Sequence, residues 1–247
     1  IKEDYLRILR YLRFFLNYSK VPHNLEVIKT LRINIGGISK LSKERLLDEL
    51  KKLIKIEVLE KLSKDKYSFE LFLMIFPELK NVKIFSRLNF SSKEFLKEND
   101  FIFLLSLIII DKTDNAEYFL YKFKLSKKDE KRLKIIDNFY KEKNNSKTFT
   151  ENSINKIFYY NGKQAVLDIL NYKIVISKKI DKNLIELKNY YENKTIPIMP
   201  INARLLMEKY HVPKGKQLGE KLKSLELIWV ENNFKISDNQ IDKIVNS

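Results

Sequence analysis

Cysteine is absent from the chain, which excludes disulfides and cysteine-ligated metal sites and suits a cytoplasmic protein. Glycine and proline are scarce, with 5 of each in 247 residues. Tight turns and β-hairpins draw on both, so the long breaker-free stretches predict an all-α fold. Histidine occurs twice. His23 follows Pro22, and His211 precedes Val212-Pro213. Neither has a neighbouring carboxylate or serine suited to nucleophilic catalysis, so both read as structural or exposed. No Asp-x-Asp pair occurs. Gly36-Gly37 continues into Ile38-Ser39-Lys40 and reads as a turn, and Glu98 and Asp100 read as helix caps. The longest apolar run, Phe101 to Ile110, is about half the ~20 residues that span a bilayer. It predicts a buried core helix and no membrane partner.

Positive charge is what the chain has in excess. Its 48 Lys and Arg against 32 Asp and Glu give +16, with a pI near 9.6. Such an excess points first to nucleic acid and second to an acidic membrane surface. A Lys-, Ile- and Asn-rich composition also follows from AT-rich coding DNA, which accounts for part of the lysine. Hydrophobic residues at 44% leave enough apolar material for a sizeable core.

Periodicity places a first helix over about Asp4 to Tyr18, with Tyr5, Ile8, Leu9, Leu12 and Leu16 on its core face. Asn24 is placed to cap a helix through Leu31, and Ser42 to cap one carrying Leu46, Leu47, Leu50 and Leu53. The polar stretch Ser63 to Lys66 suggests a boundary. Further helices are expected over roughly Ser92 to Ile110 and Ser126 to Lys143, followed by a polar linker over Lys141 to Lys147. A last group runs from Thr150 onward, broken by Pro197 to Pro200. Pro213-Lys214-Gly215 turns into a helix holding Gly219, Leu222, Leu225 and Trp229. Tyr159-Tyr160 and Tyr190-Tyr191 are able to stack on RNA bases, with core packing the favoured reading.

Asp4, Arg7, Arg10 and Arg13 are spaced by three. On a helix they form a slowly winding stripe, mostly opposite the apolar one. A carboxylate and a guanidinium one turn apart can present acceptors and donors to a base edge, and further arginines can hold phosphates bidentately. Most such stripes are solvated charged faces. Residue choice weighs against that here: only 8 of the 48 basic residues are Arg, and three of those fall between positions 7 and 13.

The string EDYLRILRYLRF, Glu3 to Phe14, resembles the ED-x-L-R-x-x-R-x-x-R-F motif of class II tRNA nucleotidyltransferases and bacterial poly(A) polymerases. Leu41 to Arg45, continuing through Glu49 to Leu53, resembles that family's S-x-E-R-x-x-x-E-L neck motif. Leu125 to Leu133 is similar to a helix start of the family's body domain. Pro200 to Trp229, with Gly215 and Gly219, is similar to its tail segment, although Asn202 and Ala203 stand where a glycine is usual.

The resemblance implies an all-α neck, body and tail, here 1–62, 63–143 and 144–247, the last binding tRNA. It gives Asp4 and Arg7 the role of hydrogen-bonding the incoming cytosine or adenine of CTP or ATP. Arg10 and Arg13 contact the nucleotide or brace that pair, and Arg45 and Glu49 support the helix. The alternative for those two is an ordinary surface ion pair one turn apart. The implied activity is CCA addition to the tRNA 3′ end, with poly(A) polymerase and a stand-alone basic RNA-binding module as alternatives. Mg2+ is implied in a catalytic head that the chain does not contain, so the chain alone is expected to be inactive. Because the sequence starts at Ile1 inside a helical pattern, an N-terminal portion is expected to be missing. A monomer or dimer is expected.

Overall fold

The computed structural model describes residues 4–88, 90–97, 99–141, 149–177 and 181–246, and every regular element among them is helical. The first helices are α1 (Leu6–Tyr18), α2 (Leu25–Asn34), α3 (Lys43–Leu53), α4 (Ile56–Lys64) and α5 (Lys66–Ile75). They are followed by α6 (Phe90–Lys97), α7 (Phe101–Ile109), α8 (Asn115–Lys122), α9 (Lys127–Lys141) and α10 (Glu151–Asn161). The last are α11 (Lys163–Ile176), α12 (Lys182–Asn193), α13 (Ala203–Tyr210), α14 (Lys216–Glu231) and α15 (Asp238–Val245). Two 3-10 segments, Ile35–Lys40 and Lys80–Ser86, follow α2 and α5.

Short polar side chains set many of these boundaries by accepting the otherwise unpaired N–H groups of a first turn. Asn24 accepts from Glu26 and Val27, and Ser42 from Arg45. Asp65 accepts from Ser68, so the polar stretch Ser63 to Lys66 is the α4–α5 junction. Asn202, at the position where a glycine was expected, caps α13 by accepting from Leu205.

Three expected boundaries are corrected. Helix α1 starts at Leu6, because the Asp4 carboxylate takes the Leu6 N–H at 3.1 Å. Helix α2 runs three residues past Leu31, to Asn34. The single helix expected over Ser92 to Ile110 is two, because Asp100 is extended and accepts the Phe103 N–H at 3.0 Å, which starts α7 afresh. Glu3, Glu98 and residues 142–147 of the expected linker lie outside the described residues.

The chain forms two compact units, one of Ile1–Glu142 with Tyr172–Lys179, the other of Lys143–Asn171 with Ile180–Ser247. In the first, α1 packs on α3, α4 and α5. It does so through Leu6, Ile8, Leu9, Leu12 and Leu16; Tyr5, expected in that row, is half-buried. The ring of Tyr5 lies on Gly37, where a Cβ would come within 2.0 Å of Cε1, so the close approach depends on glycine. Helix α4 packs on the Lys80–Ser86 segment, which also meets α7, and α7 packs on α9. Every residue of α7 after Phe101 is buried, as the apolar run predicted.

In the second unit α14 is central and meets α10, α13 and α15. Leu206 and Leu225 are fully buried there, packed with Ile201, Val212, Leu218 and Ile241. Lys194 follows α12. Its ammonium lies within 5.7 Å of the ring centroids of Phe158, Tyr190, Tyr191 and Phe234 and donates to Asn155 Oδ1 at 3.0 Å. Among the described residues no helix is long and apolar enough to cross a membrane.

Leu50 on α3 is fully buried and Tyr121 on α8 is 88% exposed. Leu50→Ala is expected to destabilise the protein by about 2–5 kcal/mol and Tyr121→Ala by less than about 0.5 kcal/mol, read from urea unfolding.

Candidate nucleotide-recognition face on α1

Helix α1 buries one side and turns the opposite side outward, so residues spaced by three or four from Asp4 emerge together. Arg7 and Arg10 are exposed, and Asp4 and Arg13 are partly covered. The structure thus brings all four stripe residues to the expected face. It also adds a second layer, because α3 lies beside α1 and directs two side chains at the stripe.

The first is Arg45. Its Nη2 donates to both carboxylate oxygens of Asp4, at 3.2 and 3.3 Å. Arg10 Nη1 stands 3.9 Å from Asp4 Oδ2. The Leu6 N–H chiefly, and then the Arg45 and Arg10 charges, hold the Asp4 carboxyl below the usual aspartate range against its partial burial. Asp4 is therefore ionised at neutral pH and fixed in orientation. A carboxylate has about four lone-pair directions, so acceptor capacity remains for a ligand.

The second is Glu49, one turn further along α3 and only 3% exposed. Its Oε2 accepts from Arg13 Nε at 2.9 Å, its Oε1 accepts from Lys52 Nζ at 3.0 Å, and Arg10 Nε lies 3.7 Å from Oε1. Burial works to raise the Glu49 carboxyl, but the hydrogen bonds from Lys52 and Arg13, with their charges, outweigh it and hold it below the usual glutamate range. Arg45 and Glu49 thus reach across to α1 and do not form the surface pair with each other that was the alternative reading. A buried carboxylate under three cations fixes the rotamers above it more firmly than an exposed pair would.

The structural reading of His23 holds, but the expectation that no carboxylate or serine neighbours it is corrected. Asp65 and Ser68, 42 and 45 residues away in sequence, place Oδ1 and Oγ each 3.0 Å from its Nε2, while the Tyr11 hydroxyl is 2.9 Å from Nδ1. The ring is 2% exposed and stacks on Phe15 with centroids 3.4 Å apart. Substrate has no access to such a ring, so the cluster joins α1 to α5 and is structural. His211 is an exposed left-handed cap of α13. Core packing holds for Tyr191, which is fully buried, and Tyr159 donates to Glu226 Oε1 at 2.7 Å against Trp229. Tyr160 and Tyr190 depart from it and are about half exposed, at 46% and 52%.

Among the described residues no three His, Asp or Glu side chains converge so as to hold a metal ion. The Mg2+ implied by the resemblance finds no donor set on these helices, and no metal-dependent step is assigned to them.

The site and fold together define a basic, all-helical protein with a braced carboxylate–arginine face. Residues 94–245 match the family model described as tRNA nucleotidyltransferase domain 2, and the chain belongs to that family. It is 45% identical over 56 residues to the zebrafish (Danio rerio) mitochondrial CCA tRNA nucleotidyltransferase 1, a stretch covering 22% of this chain and 13% of that protein. The human and mouse (Mus musculus) proteins of the same name are each 43% identical over 56 residues, with the same coverage. The family match begins after the α1–α3 site, at residue 94.

A carboxylate depressed in the folded state adds stability above its unfolded pKa, about 4.3 for glutamate, and loses it as pH falls through the lower folded value. Glu49→Gln leaves Arg13 without its buried counter-charge and is expected to cost about 1–3 kcal/mol at pH 7. The variant should also show a flatter loss of stability than the wild type below about pH 4. Urea unfolding across pH checks both; identical profiles would remove the bracing role.

Proposed function

We propose that the chain is the nucleotide-selecting and tRNA-holding portion of an enzyme that adds C and A from CTP and ATP to the tRNA 3′ end. The observation that carries the reading is the double bracing of α1, with Arg45 on Asp4 and Glu49 under Arg10 and Arg13. A template made of protein must hold its hydrogen-bonding atoms still, because discrimination between bases comes from one or two directed bonds. Asp4 supplies the acceptor, Arg7 the donors, and Arg10 and Arg13 the flanking cations for the nucleotide phosphates. Arg45 and Glu49 position them without touching the nucleotide.

In this reading residues 1–62 are the neck, 63–143 the body and 144–247 the tail that grips tRNA by its phosphates, in keeping with the 17 Lys and Arg against 11 Asp and Glu of that last portion. A catalytic head with Mg2+ supplies the transfer chemistry in the full-length protein, which acts in the cytoplasm as a monomer or dimer. The curated relatives are named as mitochondrial. Poly(A) polymerase is the second reading within the family.

The test is nucleotide incorporation by the full-length protein into tRNA lacking its terminal CCA. Incorporation of C followed by A is expected, and A alone would leave the poly(A) reading. Arg7→Ala should shift the preference between CTP and ATP by about ten-fold, the order of one bidentate base contact, with little change in tRNA affinity. Equal loss of both would count against the template role. For the 247-residue chain alone, tRNA affinity should fall steeply as salt rises, and a salt-independent affinity would remove the phosphate-gripping role.

A further inference from the structure

The outward face of α1 carries more than charge. Phe14 is 50% exposed and Tyr18 73% exposed, and their rings stack at 6.0 Å between centroids with 28° between planes. The Arg13 guanidinium lies 4.4 Å from the Phe14 centroid, continuing the column. Arg7, Phe14 and Tyr18 are seven and eleven residues apart, so at 100° per residue they share a line within about 40° of each other. From Arg7 to Tyr18 that line runs about 17 Å, the length of a few stacked nucleotides.

Two large aromatics exposed on a helix whose opposite side is fully packed add nothing to the core. Their surroundings are cationic. Arg7 and Arg10 are exposed on the same face, Lys20 is exposed just beyond, and Lys61 of α4 donates to the Asn17 carbonyl at 3.5 Å. Stacked rings beside guanidinium and ammonium groups are the chemistry that takes unpaired bases together with their phosphates. An apolar protein partner would leave these cations desolvated without counter-charge.

We infer that Phe14 and Tyr18 form a stacking platform for the unpaired 3′ end of an RNA, laid along α1 so that its terminus approaches Asp4 and Arg7. The inference rests on the nucleotide-selecting reading of those two residues for its direction along the helix. It accounts for the row continuing past the last stripe arginine. One end of α1 reads the edge of a base, and the other end holds the faces of the bases that precede it. Alanine at both aromatic positions keeps helix propensity and removes only exposed rings, so the variant folds.

The test uses the 247-residue chain and two stem-loop RNAs, one with a short unpaired 3′ tail and one blunt, at fixed salt. The Phe14→Ala/Tyr18→Ala protein is expected to bind the tailed RNA about ten-fold more weakly and the blunt RNA as before. Tyr18→Trp should retain wild-type binding, and 2-aminopurine in the tail should lose its quenching only with the double alanine variant. Equal weakening for both RNAs, or no weakening, overturns the proposal. So does sedimentation showing that the wild type self-associates and the variant does not, which would make the platform a contact between copies. Failure of nucleotide selection is separately visible. Arg7→Ala would then leave the CTP and ATP preference of the full-length protein unchanged while the tailed-RNA difference persists.

Discussion

Glu49 is a carboxylate almost removed from water, and α1 is held where it is by what compensates that removal. Taking a carboxylate out of water is costly unless hydrogen bonds and opposite charge replace the lost hydration. Arg13, Lys52 and Arg10 do so from two helices, and two of these cations belong to α1. The leucine and isoleucine contacts between α1 and α3 would tolerate some sliding, since apolar packing is not directional. A 2.9 Å bond from Arg13 Nε tolerates very little. The register of α1 against α3 is therefore set by ionic geometry above an apolar seam, and the Asp4–Arg45 contact repeats the device at the start of the helix.

The same argument explains why arginine sits here in a chain otherwise supplied with lysine. A lysine at position 13 could neutralise Glu49 but could not also lay a planar guanidinium by the Phe14 ring. Planarity allows one side chain to satisfy a buried carboxylate and border an exposed aromatic. Elsewhere lysine serves where a point charge suffices, in exposed pairs such as Lys29 with Glu26 and against buried carboxylates such as Glu78 with Lys122.

Local signals in the sequence carried most of the helices. Asn24 and Ser42 cap where their side-chain chemistry predicts, and the apolar run after Asp100 is the buried α7. The division between α6 and α7 was half legible: Asp100 reads as a helix cap and is the cap of α7, but with no glycine or proline beside it the helical pattern reads on across the break. The stripe on α1 was legible from its spacing. Its bracing was legible only through resemblance, since Asp4 and Arg45 are 41 residues apart and Arg13 and Glu49 are 36 apart. The His23 cluster shows the same limit. Its partners come from α1 and α5, and no local pattern announces that a histidine beside a proline will be sealed under Phe15. Phe14 and Tyr18 were visible as residues, but exposure cannot be read from an aromatic type that usually packs inward.

Rigidity at α1 also bears on how a nucleotide and an RNA end could be handled together. Arg7, Arg10, Arg13, Phe14 and Tyr18 lie on one helix of 13 residues, and Asp4 is tied to its first turn through the Leu6 N–H. A displacement of the bases on Tyr18 is then transmitted to the Asp4 end only as a movement of the helix as a whole. Such movement is opposed by Glu49 on one side and by the His23 cluster on the other. Under the proposed reading, an RNA end would move along a fixed helix and not draw the helix with it. The exposed rings would then offer a surface on which bases change places at little cost, because stacking is tolerant of base identity, while the carboxylate–arginine pair would read the base edge.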